Sequence, residues 1–292
     1  MRVQELYLPI IERMFKFKQE KLNFEQILGK GAYGSIYPYQ SSPTDERWAV
    51  KVLFAKDTDT LFKIIQEIVL GFACDHPGLL PFRIYDIQKA NPTGYNVYIK
   101  VPRMKGDLRA IITNCIENGY TIPQENLVLY FYSLVSALEY LHNKGIVYRD
   151  VKPENLLIDS YGVAKLSDVG GATLVDDDSS ILIQNEGTVL YSAPEFFNGG
   201  YKNLSKKNFY KTDIWSLGVV MLELMTLKRI NANTPESQIK KRLAGLTGSY
   251  HKALIDLVSK ALLHDPNQRK SGNEIKLTLE VHFGNLVVCF GI

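Results

Sequence analysis

YRDVKPENLL, residues 148–157, sets Arg149, Asp150, Lys152 and Asn155 within one short segment. Asp150 offers a carboxylate that can receive the proton of a hydroxyl, and Asn155 an amide oxygen that can hold a metal ion. Lys152 adds a positive charge between them. The segment follows directly on a helical pattern, in which Leu127, Phe131, Leu134, Leu138 and Leu141 form one apolar stripe, with Pro123 near its start and Gly145 at its end.

Working outward, LSDVGG at 166–171 supplies Asp168 after the apolar alternation GVAKL. Asn155 and Asp168 make an oxygen-donor pair of the kind that binds Mg²⁺ bridging phosphates. Upstream, LGKGAYGSI at 28–36 places Gly29, Gly31 and Gly34 in GxGxxG spacing. Glycines there let a backbone lie close over a polyphosphate and turn its N–H groups toward it. A dinucleotide-binding fingerprint shares the spacing but requires a helix opening at the last glycine. Here Ser35, Ile36 and Tyr37 continue as a strand, which disfavours that reading. In AVKV, Lys51 shares a strand face with Ala49 and is half-buried between Val50 and Val52, so its ammonium needs a partner. Glu67, mid-helix among apolar residues, is that partner, because an unpaired carboxylate there would be costly.

Strands are expected over 24–29 and 35–39 as a hairpin, then over 47–54, 79–87 and 95–101, with a helix over 58–72 carrying Leu61, Ile64, Ile65, Ile68, Val69 and Phe72. From Leu108 helices dominate: the 123–145 stripe, a strongly apolar helix over 212–226, and more within 236–263. A β-rich segment followed by an α-rich one predicts an α+β protein of two lobes.

The chain has 292 residues, 46% of them hydrophobic and 22% charged, enough for a sizeable core. A net charge of +3 supports neither a nucleic-acid nor a membrane-surface role. Cys74, Cys115 and Cys289 are odd in number and widely spaced, which argues against a disulfide framework or zinc site and for a reducing compartment. Residues 1–22 mix charges into every turn and read as an amphipathic helix rather than a signal peptide, and the terminal LVVCFGI is too short to span a bilayer. The expected location is the cytoplasm, without excluding the nucleus.

These motifs together resemble the eukaryotic protein kinase family across roughly 24–285. The set occurs in order: Gly29, Gly31 and Gly34; Lys51; Glu67; Arg149-Asp150; Asn155; Asp168-x-Gly170; and Ala193-Pro194-Glu195. Asp213 resembles the residue that braces the catalytic-loop backbone, and Arg269 the arginine that pairs with Glu195. These late motifs separate the chain from small-molecule kinases. The resemblance implies a bilobal fold: an extension over 1–23, a small lobe with one helix over 24–101, a hinge over 102–107, a helical lobe over 108–285 and a tail over 286–292. It implies transfer of the γ-phosphate of ATP to a protein serine or threonine, with Asp150 as base, Lys152, Lys51 and Glu67 in support, and Mg²⁺, or Mn²⁺ in its place, on Asn155 and Asp168. ATP contacts would come from Leu28, Gly29, Lys30, Gly31, Ala32, Tyr33, Gly34, Ser35 and Ile36, with Ala49 and Leu157 on the purine. Val101 would be the gatekeeper, the backbones of Pro102 and Met104 would hold adenine, and Asp107 would reach the ribose. Lys152 together with Thr188 resembles the serine/threonine branch, dual specificity remaining open. Glu154 is associated with basic substrates. A pseudokinase, the same fold used as an ATP-binding scaffold, is the alternative, but Lys51, Asp150, Asn155 and Asp168 are all present.

Arg149 beside the base implies control by a phosphorylated activation loop, yet Ile183 and Gln184 stand where the acceptor commonly falls. Ser179 and Ser180 are the nearest upstream hydroxyls, and Glu186 could supply a permanent negative charge. The N-terminal helix and the 58–72 helix are the two places for a regulatory partner. The family pattern is broken at Val169, Tyr148 and Gly71; Val169 and Gly71 remove volume that Tyr148 and Phe82 partly restore, so the 58–72 helix is expected to be loosely held. Gly71→Leu should then raise thermal stability or activity, and a fall in both would mean that the volume is already restored.

Overall fold

The computed structural model describes residues 24–31, 34–39, 48–81, 83–90, 92–167, 169, 172–175, 190–196, 204–230 and 234–288, leaving aside the side chains of residues 31, 66, 67, 83–85 and 288. It divides into two compact units. The first comprises the described residues up to Asp75 with Leu80–Arg103; the second comprises His76–Leu79 and the described residues from Met104 onward.

The first unit is an antiparallel sheet with one helix. β1 (Gly29–Gly31), β2 (Gly34–Tyr39), β3 (Trp48–Ala55), β4 (Arg83–Lys89) and β5 (Tyr95–Pro102) are ordered β1-β2-β3-β5-β4. Alternation along β3 sorts the two faces. Ala49, Leu53 and Ala55 point into a core with Ile87, Val97, Ile99 and Val101, which Leu61, Ile64 and Ile68 of α1 (Thr58–Phe72) complete. Trp48, Val50 and Val52 face the other way, with Tyr37, Tyr39 and Tyr98. The Lys100 ammonium lies over the rings of Trp48 and Tyr39, 4.3 and 4.8 Å from their centroids. α1 begins where Asp57 caps it, accepting from the Thr60 N–H at 2.7 Å.

The second unit is mainly helical: α2 (Leu108–Asn118), α3 (Gln124–Asn143), α4 (Lys206–Thr226), α5 (Glu236–Ala244), α6 (Lys252–Ala261) and α7 (Gly272–Val288). α3 and α4 are buried on nearly every side, which explains why α3 carries Val128, Val135 and Ala137 beyond the expected stripe. Small ladders join the loops around them. β6 (Gly106–Asp107), β8 (Leu156–Ile158) and β9 (Ala164–Leu166) form one sheet, and β7 (Ile146–Val147) pairs with β10 (Thr173–Leu174). Among the described residues no helix is long and apolar enough to cross a membrane, and Cys74 and Cys115 are thiols rather than halves of a disulfide.

Three boundaries differ from expectation. The first strand lies at Gly29–Gly31, not 24–29, and Phe24 and Ile27 are exposed. The strand expected over 79–87 starts at Arg83, because Pro81 has no N–H for a ladder and Leu79 instead bridges to Leu166 in the second unit. α4 starts six residues before the apolar run, at a Ser205 cap that accepts from the Asn208 N–H at 3.3 Å. α7 went unanticipated, although Ile275, Leu279, Phe283 and Val287 recur at a strict four-residue interval and are buried.

The short His76–Leu79 segment is tied to the second unit by its backbone. The Leu166 N–H donates to the Gly78 carbonyl at 2.9 Å, and Lys165 Nζ to that of Pro77 at 2.5 Å. Gly78 is required by closeness: a Cβ there would lie 2.6 Å from the Ser133 carbonyl oxygen and 2.9 Å from Ala137 Cβ, both on α3. Gly78→Ala should therefore cost about 1–3 kcal/mol by urea or thermal denaturation. Unchanged stability would show that the segment can lift off α3.

Candidate active site

In the first unit, register places the candidate residues relative to one another. Lys51 pairs with Ile36 on one side and Ile99 on the other, and Ala49 pairs with Val101. Directly paired residues share a face of an antiparallel sheet, so Lys51, Ile36, Ala49 and Val101 lie on the face that also carries α1. Gly34 has a steric reason to be glycine: a Cβ would sit 1.9 Å from the Val52 carbonyl oxygen. Gly29, Lys30 and Gly31 form β1, with Lys30 opposite Ser35, and Leu28 donates its N–H to the Ile36 carbonyl. Pro102 ends β5. Ala32 and Tyr33 lie outside the described residues, as does the Glu67 side chain.

In the second unit, Asp107 and Leu157 face each other across the β6–β8 pair. Asp107 Oδ1 caps α2, accepting from the Ala110 N–H at 2.8 Å. Met104 precedes that ladder.

The 148–155 segment hangs from one buried carboxylate. Asp213, 1% exposed on α4, accepts from the backbone N–H of Tyr148 on Oδ2 and of Arg149 on Oδ1, each at 2.8 Å. His142 Nε2, on the last turn of α3, is 2.9 Å from Oδ2. Arg149 needs this anchorage because its φ is +70°, in the left-handed region that side-chain-bearing residues avoid. Beyond that bend Asp150 meets both of its neighbours. Lys152 Nζ donates to its carboxylate oxygens at 2.9 and 2.6 Å, and Asn155 Nδ2 donates to Oδ2 at 2.6 Å and to its carbonyl at 3.0 Å. The 3₁₀ turn Pro153–Asn155 brings Asn155 back over Asp150. Arg149 Nη1 donates to Thr173 Oγ1 at 3.0 Å. Asp168, Thr188, Ser179, Ser180 and Glu186 lie outside the described residues.

Two further ion-pair systems surround this loop. Arg269, 1% exposed, forks onto Glu195 at 2.7 and 3.0 Å and also donates to the carbonyls of Lys211 and Leu263. The pairing expected from the resemblance is thus formed. The second system was not legible in the sequence. Arg109 Nε donates to Glu154 at 2.8 Å, its Nη1 donates to Glu223 at 2.7 Å, and its Nη2 donates to the Tyr191 hydroxyl. Tyr191 in turn donates to Glu223 at 2.6 Å, and Arg229 adds a bond to Glu223 at 3.1 Å. Burial by itself would lower the Arg109 pKa, but the bonds to Glu223 and Glu154 raise it above its ordinary value. Burial opposes ionisation of Glu154, yet Arg109 holds it below the usual carboxylate range. Burial, then the bond to Glu223, raise the Tyr191 phenol. His142, Thr173 and this network were missed because no fixed spacing joins residues 24 to 114 positions apart. The one available signal was that a glutamate inside an apolar helix such as α4 must be paired.

Asp213→Ala should cost about 3 kcal/mol or more in a denaturation experiment, since it leaves two buried N–H groups and a histidine without their acceptor. Asp213→Asn, which keeps one acceptor oxygen, should lose less. Equal losses would mean that the oxygen retained by asparagine contributes nothing on its own.

Residues 22–279 match the family model described as the protein kinase domain. The chain is 30% identical over 251 residues to the serine/threonine-protein kinase RUNKEL of Arabidopsis thaliana, covering 84% of this chain and 17% of that protein. It is 28% identical over 278 residues to the serine/threonine-protein kinase Nek9 of Mus musculus, covering 88% and 26%. Against the serine/threonine-protein kinase PrkC of Bacillus subtilis the figures are 31% over 263 residues, 84% and 37%. The chain thus spans well under half the length of these three relatives. With the family model covering most of its length, and an antiparallel first unit followed by a helical second, this chain belongs to the protein kinase family.

Proposed function

We propose that the chain is an ATP-dependent protein serine/threonine kinase. The observation that carries this reading is the Asp150–Lys152–Asn155 cluster, held on a backbone that Asp213 fixes. Asp150 receives the proton of the acceptor hydroxyl as that oxygen attacks the γ-phosphorus and the bond to the bridging oxygen of ATP breaks. Lys152, which donates hydrogen bonds to both oxygens of the same carboxylate, steadies the negative charge of the phosphoryl group in transit. Lys51 lies on the sheet face shared with Ile36, Ala49 and Val101, which suits phosphates and a purine ring on that face. The backbone at 28–36 covers the phosphates, Leu157 packs on the purine, Pro102 and Met104 hold adenine and Asp107 binds the ribose.

Among the described residues Asn155 offers one oxygen of the kind a magnesium ion takes. Asn155 spends its amide nitrogen on Asp150, which leaves its Oδ1 as the atom for a cation, with Asp168 as the partner ligand. Mg²⁺, or Mn²⁺, would neutralise phosphate charge there. The serine/threonine names of the relatives support the acceptor class. Residues 1–23 and α1 are the places we assign to a regulatory partner, and the cytoplasm is the compartment.

The test is transfer of labelled γ-phosphate from ATP to generic serine/threonine substrates with Mg²⁺ and with Mn²⁺. Asp150→Asn and Asp168→Asn should each lower transfer by about a hundredfold or more. A folded wild type that binds ATP and transfers nothing would instead support an ATP-binding scaffold.

A further inference from the structure

Glu154 sits between Lys152 and Asn155, whose side chains both touch Asp150, so its carboxylate belongs to the surface that a phosphoacceptor segment would cross. A free carboxylate there would select basic residues. This one already accepts from Arg109 Nε at 2.8 Å. The same guanidinium holds Glu223, which Tyr191 and Arg229 also approach. Two acids are therefore matched by two arginines from within the chain.

Exposure decides which charge reaches a substrate. Glu223 is 2% exposed and Arg109 19%, whereas Glu154 is 44% and Arg229 55% exposed. Solvent at this edge thus meets two half-exposed groups, Glu154 and Arg229, each paired with a more buried partner, so the sign of the edge is set by the surface around them. The neighbouring surface adds to the positive side. Residues 228–242 contain Lys228, Arg229, Lys240, Lys241 and Arg242 against the single acid Glu236. Arg242 Nη1 donates to the Arg229 carbonyl at 2.8 Å, tying α5 to the segment that bears Arg229, while Glu236 is taken up by Lys240 at 2.7 Å.

We propose that this edge selects protein substrates with acidic rather than basic side chains next to the acceptor hydroxyl. The inference rests on the kinase reading and corrects the expectation that Glu154 marks a basic substrate. A basic residue meets a carboxylate whose charge Arg109 already offsets, whereas an acidic one meets Arg229 and the basic segment beyond it.

The experiment uses matched fluorescent serine peptides flanked by glutamates or by arginines, and measures both equilibrium binding to the full chain and γ-phosphate transfer. The glutamate-flanked peptide should lead by about fivefold in either readout, with the lead shrinking in high salt, as exposed pairing requires. Arg229→Glu should abolish or reverse the lead, with melting curves confirming that this half-exposed position is tolerated. Glu154→Gln should leave the order unchanged, because Arg229 and the basic segment beyond it set that order. An equal or better arginine-flanked peptide, or a basic preference that Glu154→Gln removes, overturns the inference. A binding preference without transfer removes the catalytic reading and leaves this one standing; transfer without a preference does the reverse.

Discussion

The buried Asp213 carboxylate is the constraint on which the catalytic-loop region depends. An ionised group with 1% exposure is tolerated only when its lone pairs are filled, and here two backbone N–H groups and an imidazole fill them. In return it holds Arg149 at φ +70°, a conformation that costs on the order of 1–3 kcal/mol and persists only when its surroundings dictate it. The bend turns Asp150 toward Lys152 and Asn155. α4, which carries Asp213, is in turn buried almost all round, so the anchor sits on an element that cannot easily move.

Further ion pairs extend the same logic outward from α4. Arg269 joins Glu195 to the carbonyl of Lys211 at the start of the helix, and Glu223 near its end gathers Arg109, Tyr191 and Arg229. Each is a desolvated charge with several hydrogen bonds, a form of pairing whose disruption costs far more than its formation gains. Their role is geometric: they fix the Ala193-Pro194-Glu195 segment and the edge of the catalytic loop relative to one helix. The first unit is built differently, with an apolar core on one sheet face and an aromatic cluster under Lys100 on the other.

Local chemistry alone determined a good deal. Period-two alternation in residues 48–55 separated Lys51 and Ala49 from Trp48, Val50 and Val52, and the faces observed are the ones read. The 58–72 helix was found to the residue because its apolar side chains recur at helical spacing; the Asp57 cap emerged from the structure. The order of short motifs identified the family, since each motif is a contiguous string. The strand boundaries failed at residues 24–29 and 79–87, where apolar side chains serve something other than a ladder: Leu79 packs as part of the second unit, and Pro81 cannot donate.

Tertiary structure decided what spacing cannot encode. That Glu154 pairs with Arg109, and that Glu223 gathers two arginines and a tyrosine, depends on side chains from α2, the loop after β7, the segment around Tyr191, α4 and the segment beyond it meeting in space. The same holds for His142 on Asp213 and Thr173 on Arg149. The sequence determined which groups could carry charge and which faces would be buried, because periodicity and composition act over a few residues. Which charges neutralise one another was left to the fold, because burial makes pairing compulsory while the partner is chosen by proximity.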